Sequence, residues 1–153
     1  MEDSRSLRGV LKPTLMLLLT LVVVMVVFGF FLPSESINVA IEGGTLKLSH
    51  TKNQFGKSEV LVSDSIFLSD TAGVEYSESF EAGEMAEGTV GRSHMAGTWK
   101  NSDGEYRLYY NTGADSVIMV RSENGSLAVF NFADEKTTKV FYDALVNYLG
   151  EVG

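Results

Sequence analysis

The sequence predicts a mainly β domain that ends in an α-helix and stands behind a single N-terminal transmembrane helix. Three features lead to this fold class. An uncharged apolar run occupies Leu15–Leu32. Several later runs alternate apolar and polar residues between glycine-containing turns, and the last apolar stripe repeats with the 3.6-residue period of a helix. About seven antiparallel strands are expected before that helix.

The run Leu15–Leu32 is long enough to cross a bilayer. As a helix, its residues rise about 27 Å, close to the ~30 Å hydrocarbon core of a membrane. The run has no polar face, which disfavours a helix on a globular core. We therefore expect a short tail at residues 1–12, a membrane helix at 13–33 that contacts the lipid bilayer through Leu15–Leu32, and a folded domain at 34–153.

The charges beside the span set its expected orientation. Arg5, Arg8 and Lys12 precede it closely. Basic residues favour the cytoplasmic side, so the N-terminus is expected in the cytoplasm and the C-terminal domain outside the cell membrane, in a single-pass arrangement. A cleavable signal peptide is the alternative, but its apolar region would be shorter, about 7–15 residues, with an Ala-x-Ala-like site after it.

The domain after the span is strongly acidic. The chain carries a net charge of −8, and a tail with two acidic and three basic residues leaves −9 for the domain. Phosphates require a basic surface, so nucleic acid is not expected as a partner. The chain contains no cysteine, which excludes disulfides and cysteine–metal chemistry.

The first part of the domain predicts strands with one buried face. Ile37–Glu42 and Thr45–His50 alternate apolar with polar residues. Gly43-Gly44 between them predicts a hairpin turn. Lys57–Val62 and Ser65–Leu68 continue as strand, interrupted at Ser63-Asp64, where Asp64 is expected to bend or bulge the strand.

The stretch Ser69–Arg92 predicts a long surface loop with one helical turn near Glu78–Ala86. It is acidic, has no lysine or arginine before Arg92, and is interrupted by glycines. Calcium loops need closely spaced aspartates and a fixed glycine, which this stretch lacks, so a solvated acidic loop is expected. Its glutamates recur at every third position, at Glu75, Glu78, Glu81, Glu84 and Glu87.

Four strand-like runs follow and predict an antiparallel meander. They are joined by Ser102–Gly104, Thr112–Asp115 and Asn124-Gly125, and Asp-Gly and Asn-Gly are strong hairpin signals. Trp99 is expected to anchor the core, with its indole N–H bonded to an acceptor. The runs are Gly97–Asn101, Glu105–Tyr110, Ser116–Arg121 and Ser126–Phe132.

The chain is expected to end in an amphipathic helix that caps the open end of the curled sheet, because both elements need to bury an apolar face. Asp134 is the expected N-cap and Gly150 the expected stop. The apolar stripe of this helix comprises Val140, Phe141, Ala144, Leu145, Tyr148 and Leu149.

These features together resemble the bacterial PH domains found behind membrane spans. The similarity covers about 110 residues and consists of diffuse packing patterns, strongest over Gly104–Leu149, with Val62–Ile66 similar to a strand-bend that the family places before a variable loop. The resemblance implies a PH-like β-roll or barrel. The matching residues are Gly104, Tyr106, Val117–Val120, Val129–Asn131, Thr138, Phe141-Tyr142 and Leu145.

The resemblance also implies a candidate site for lipid headgroups or other anions. Eukaryotic PH domains bind inositol phosphates through basic residues around the first hairpin, and the matching region here holds Lys47, His50, Lys52 and Lys57. The acidic domain weighs against this site, and solvated surface lysines are the alternative.

The two histidines, His50 and His94, carry no recognisable chemistry in the sequence. Their spacing does not indicate a metal site, and no G-x-S-x-G elbow is present. No catalytic residue, metal or cofactor is therefore assigned, and both are expected to be ordinary surface histidines. Asn124–Ser126 matches a glycosylation acceptor, but its role as a turn explains it fully.

The sequence favours a non-catalytic interaction module that is held at the membrane and binds a protein or peptide. PH-like folds often accept an extended segment beside the fifth strand and the terminal helix. The resemblance thus implies a groove between Glu105–Arg121 and Asp134–Leu149. The alternatives are an accessory subunit of a larger membrane complex and a hydrolase or metal-dependent enzyme. The enzyme requires His50 and His94 to meet a carboxylate in one pocket.

Overall fold

In the computed structural model of the protein, residues 20–21 and 32–152 are described. The predicted tail lies outside these residues, as does the predicted membrane helix 13–33 apart from residues 20–21 and 32–33. Within the described ranges, no helix has the length and apolar character needed to cross a bilayer. The elements below belong to one compact unit, residues 35–52 and 59–153, except that residue 34 and the hairpin tip 53–58 belong to a second unit.

Two β-sheets and one terminal helix form the described part of the chain. This confirms a mainly β fold with a C-terminal helix, although it has nine strands instead of about seven. The three-stranded sheet has the order β1-β2-β3, and the six-stranded sheet has the order β4-β8-β9-β7-β6-β5. The elements are β1 (Ser34–Glu42), β2 (Thr45–Gln54), β3 (Lys57–Phe67), a 3-10 turn (Leu68–Asp70), β4 (Thr71–Ser77), β5 (Glu84–Val90), β6 (His94–Asn101), β7 (Gly104–Asn111), β8 (Val117–Ser122), β9 (Leu127–Phe130) and α1 (Glu135–Val152).

The first hairpin is confirmed. Gly43 and Gly44 have φ of 58° and 76°, as a two-residue turn with left-handed backbone requires. The predicted interruption of the strand at Ser63-Asp64 is wrong, because β3 runs through both residues, whereas the bend or bulge at Asp64 stays a prediction.

The predicted acidic surface loop is wrong, because most of Ser69–Arg92 forms the strands β4 and β5. In β4, Val74 and Tyr76 pack on the core while Glu75 between them is exposed. The glutamates of β5, an edge strand, are exposed as well. Glu75, Glu84 and Glu87 therefore occupy solvent positions of strands, whereas Glu78 and Glu81 are exposed in the segment between β4 and β5. The helical turn predicted near Glu78–Ala86 does not form.

The predicted meander is also wrong, because β9 lies between β7 and β8. The turns at Ser102–Gly104 and Asn124-Gly125 are hairpins, as predicted. Thr112–Asp115, however, joins two strands that do not pair. Strand β9 is antiparallel to β8 and parallel to β7, with Tyr109 opposite Phe130. Its residues are buried on both faces of the sheet, which suits a central strand.

Two buried asparagines, Asn111 and Asn131, form hydrogen bonds with each other where β9 ends. Asn131 is fully buried, and its Nδ2 donates to the carbonyl oxygens of Asn111 and Ala114, both at 3.0 Å. Its Oδ1 accepts from the Asn111 backbone N–H at 2.6 Å, and the Asn111 Nδ2 donates to the Asn131 carbonyl at 2.9 Å. The two side chains thus satisfy the main chain of the crossover between β7 and β8.

The six-stranded sheet buries apolar residues on both faces. One face packs against the three-stranded sheet and α1. The other face is covered by the segment 78–83, whose Phe80 ring lies 6.1 Å from Tyr106 and 5.8 Å from Tyr110. Trp99 is buried here as predicted, but its indole N–H has no partner among the described residues, contrary to expectation. This second face buries Trp99, Tyr106, Leu108, Tyr110, Val117 and Val129.

The terminal helix begins as predicted. Asp134 accepts hydrogen bonds from the backbone N–H and the hydroxyl of Thr137, at 2.8 and 2.7 Å. The predicted stop at Gly150 is wrong, because the helix continues to Val152. The predicted apolar stripe is correct for the residues that pack on the core, Phe141, Leu145, Tyr148 and Leu149. It is wrong for Val140 and Ala144, which are exposed, and it omitted Tyr142, which packs on the core.

Replacing Asn131 by alanine is expected to lower the free energy of unfolding by about 3 kcal/mol or more, because it removes the side-chain partner of the Asn111 backbone N–H and of the Ala114 carbonyl and leaves the Asn111 carbonyl with only the 3.5 Å bond from the Ala114 N–H. The measurement is urea unfolding of the full chain in detergent micelles, followed by Trp99 fluorescence. Asn147→Ala on the exposed side of α1 is the control, with a change within about 0.5 kcal/mol. Equal effects of the two substitutions would contradict a role for the asparagine pair.

Candidate functional site

A cleft of about 580 Å³ opens between β3 and the turn that joins β8 to β9. This volume lies in the range of pockets that hold small ligands or short peptide segments. One wall is the edge strand β3, and the facing wall is the start of β9. The cleft is lined by Asp64, Ser65, Ile66, Phe67, Asp70, Arg107, Ser122, Glu123, Asn124, Ser126, Leu127 and Ala128.

Asp64 organises the floor of the cleft. Its Oδ2 accepts a hydrogen bond from the Tyr109 hydroxyl at 2.6 Å, and its Oδ1 lies 3.5 Å from the Arg107 Nε. Arg107 also donates from Nη1 to the Thr98 hydroxyl at 2.5 Å. Burial, followed by the hydrogen bond to Asp64, raises the pKa of Tyr109 far above its usual 10, so its hydroxyl remains a donor. The charges at the floor are therefore engaged within the domain.

Two carboxylates stand at the rim of the cleft. The backbone N–H of Glu123 donates to the Asp70 carbonyl at 2.8 Å, which brings the β8–β9 turn beside the 3-10 turn. Both side chains are exposed. Arg107 is the one basic residue in the lining, and it is engaged by Asp64 and Thr98. A ligand at the rim would therefore meet the negatively charged carboxylates of Asp70 and Glu123.

The sequence reasoning missed this cleft, although one signal for it was present. Asp64 stands between Val62 and Ile66 on the same face of β3, and both neighbours pack on the core. An aspartate at an inward position needs a polar partner. The partners, however, come from β7, far along the chain.

The groove predicted beside α1 is not where the described cavities lie. A second cavity, about 220 Å³, is lined by residues of β6, β7 and β9 and shares Arg107, Ser126 and Leu127 with the first. A third, about 130 Å³, lies over β4, β8 and β9. None of these three cavities is lined by a residue of α1.

The predicted anion-binding residues are not all brought together. Lys47 is exposed and donates to Glu42 at 2.5 Å, and this hydrogen bond holds the pKa of the Glu42 carboxyl below its usual value. His50 is fully buried on the opposite face of β2. Lys52 is half-buried, and Lys57 is exposed in the hairpin tip. Anion binding by the lysines stays a prediction.

His50 and His94 meet inside the domain, so the expectation of two ordinary surface histidines is wrong for His50. The two rings lie 6.1 Å apart in a stacked arrangement. The His50 Nδ1 lies 3.0 Å from the Thr89 hydroxyl, and its Nε2 lies 3.4 Å from Glu35 without hydrogen-bond geometry. The signal was again the strand alternation, because His50 shares its face of β2 with Leu46 and Leu48.

The histidine cluster does not form a metal site in the described part of the chain. Across the described ranges, no three His, Cys, Asp or Glu side chains have the geometry of a metal site. Burial, and then the neighbouring His50, hold the pKa of His94 below its usual 6.5, while Glu35 and the Asn111 side chain oppose this shift. The nearby titratable groups are thus the two histidines and Glu35.

Comparisons with known protein families, with curated proteins and with solved structures find no match for this chain.

Acid is expected to destabilise the domain through His94. Because the folded-state pKa is lowered, the unfolded chain binds the proton more tightly. The stability is fully present above the usual value of 6.5 and is lost as the pH falls through the lower folded value. The free energy of unfolding of the full chain should fall between about pH 7.5 and about pH 5, and fall less in His94→Gln. Equal losses in both proteins would contradict this role of His94.

Proposed function

We propose that the protein is a membrane-anchored, non-catalytic binding module and that the cleft between β3 and the β8–β9 turn receives a segment of a protein partner. One observation carries the proposal: an edge strand lines a cleft of about 580 Å³. Edge strands present main-chain groups that a partner segment can pair with.

The composition of the cleft supports binding over catalysis. Its charged floor residues bond to one another, and its lining contains no histidine, the commonest general base at neutral pH. His50, His94 and Glu35 do converge, as the hydrolase alternative requires, but they line none of the three cavities, and the enclosed His50 cannot reach a substrate proton. No described contact favours the accessory-subunit alternative.

The PH-like relationship remains part of this proposal. Two sheets followed by a C-terminal helix agree with a PH-like roll. The parallel pairing of β7 with β9 differs from the seven-stranded antiparallel arrangement that the resemblance implies. The proposed site accordingly moves from the side of α1 to the edge of β3.

Membrane anchoring rests on the sequence of Leu15–Leu32. If the span is retained, the full chain should stay with vesicles after an alkaline carbonate wash, because only lipid-inserted segments resist it. A variant with Leu18→Arg and Val24→Arg is the matched test, since each charge at a helix centre costs about 2.5–3.5 kcal/mol for insertion. Release of the unaltered chain by carbonate would contradict anchoring.

A bulky side chain in the cleft is expected to block binding. The probe is a library of random nonapeptides, displayed on phage and selected on the full chain in lipid nanodiscs. Ser126→Trp places an indole in the cleft and should weaken the selected peptides about tenfold or more. Ser102→Trp, on the exposed β6–β7 turn, is the control and should leave their affinity unchanged. A selection without binders, or binders indifferent to Ser126→Trp, would contradict the proposal.

A further inference from the structure

Strand β3 offers the cleft a continuous stretch of main chain. Four consecutive residues, Asp64–Phe67, line the wall and span about 13 Å at 3.3 Å per residue. Among the strands that the structure describes, β3 is the edge of its sheet and has a neighbour on one side only. Alternate residues of this stretch therefore direct their N–H and C=O groups away from β2 and toward an added strand.

The facing wall is suited to the side chains of an extended segment. It is made by Ser126, Leu127 and Ala128, of which Leu127 is half-buried and Ala128 buried. A strand laid along β3 would thus have its main-chain partners in β3, and the small, partly apolar surface would lie on its inner face, toward the six-stranded sheet. Side chains of an extended segment alternate between two faces, so every second one would meet this surface.

The charges in the cleft favour extended segments with basic side chains. Asp64 accepts a hydrogen bond from the Tyr109 hydroxyl and forms an ion pair with Arg107. Arg107 also donates a hydrogen bond to the Thr98 hydroxyl. Asp70 and Glu123 at the rim have no ion-pair partner among the described residues. A basic side chain at this end of the cleft would meet two carboxylates, whereas an acidic one would be repelled.

We propose, on the basis of the proposed function, that the cleft takes an extended basic segment of a protein partner, which adds as a strand to the free edge of β3 and places a lysine or arginine between Asp70 and Glu123. The partner is a different protein from this one. The domain carries a net charge of −9, so a second copy would meet general repulsion.

The test measures probe binding to the full chain in zwitterionic nanodiscs by fluorescence anisotropy. The first probe is a labelled nonapeptide of alternating valine and lysine, the second has glutamate for lysine, and the third has the lysine probe's sequence with N-methylated amides. The lysine probe should bind, the glutamate probe should not, and N-methylation should weaken binding about tenfold or more, since it removes the main-chain donors of an added strand.

Neutralising the rim should weaken the lysine probe. Asp70→Asn with Glu123→Gln is expected to raise its Kd about threefold to tenfold. The matched control is Asp103→Asn with Glu87→Gln, which removes the same charge from two exposed positions that line none of the three cavities. This control should leave the Kd unchanged, because the probe is expected to bind the two rim carboxylates and not to respond to the net charge of the domain.

The outcomes separate this inference from the proposed function. Equal weakening by both double variants, or full binding of the N-methylated probe, overturns the inference. If the library peptides depend on Ser126 while the lysine probe does not bind, the proposed function stands and the basic segment is wrong. If neither the library peptides nor the lysine probe depends on Ser126, both proposals fail.

Discussion

The insertion of β9 between β7 and β8 is the constraint on which the rest of the described structure depends. A central strand that is buried on both faces must end inside the protein, where unpaired main-chain groups are costly. The reciprocal bonds between Asn111 and Asn131 satisfy those groups at the crossover. An apolar residue at position 131 would remove the partners of the Asn111 backbone N–H and of the Ala114 carbonyl, so this topology favours a polar pair at this point.

The position of β9 determines the features around it. Its antiparallel pairing with β8 places the turn at residues 123–126, which forms one wall of the cleft, and the bond from Glu123 to Asp70 fixes that turn beside the end of β3. Beyond Asn131, the Phe132 N–H donates to the Thr138 hydroxyl at 3.1 Å and the helix begins. The buried pair of Asn111 and Asn131 thus lies at the end of β9, between the strand that lines the cleft and the start of α1.

Two polar residues of the three-stranded sheet, Asp64 and His50, lie on inward faces and form polar contacts inside the domain. Asp64 on β3 reaches Tyr109, and His50 on β2 reaches Thr89 and lies near Glu35. In both cases the charged or polar group contacts residues of the other sheet, so these contacts join the two sheets as well as create local chemistry. The Asp64 region opens to a cleft, whereas His50 is enclosed, and for this reason the proposed binding site includes the former and not the latter.

The sequence by itself determined the mainly β class, the hairpins at Gly43-Gly44, Ser102–Gly104 and Asn124-Gly125, and the Asp134 cap, because each depends on neighbours within a few residues. Strand alternation also held a signal for the inward positions of His50 and Asp64, but His50 was expected on the surface because its partners lie far along the chain. Only the tertiary structure decided the place of β9, the strands in the acidic stretch, the cleft, and the meeting of His50 with His94. These depend on pairings between residues far apart in the chain, where burial on both sides of a sheet outweighs local turn and charge signals.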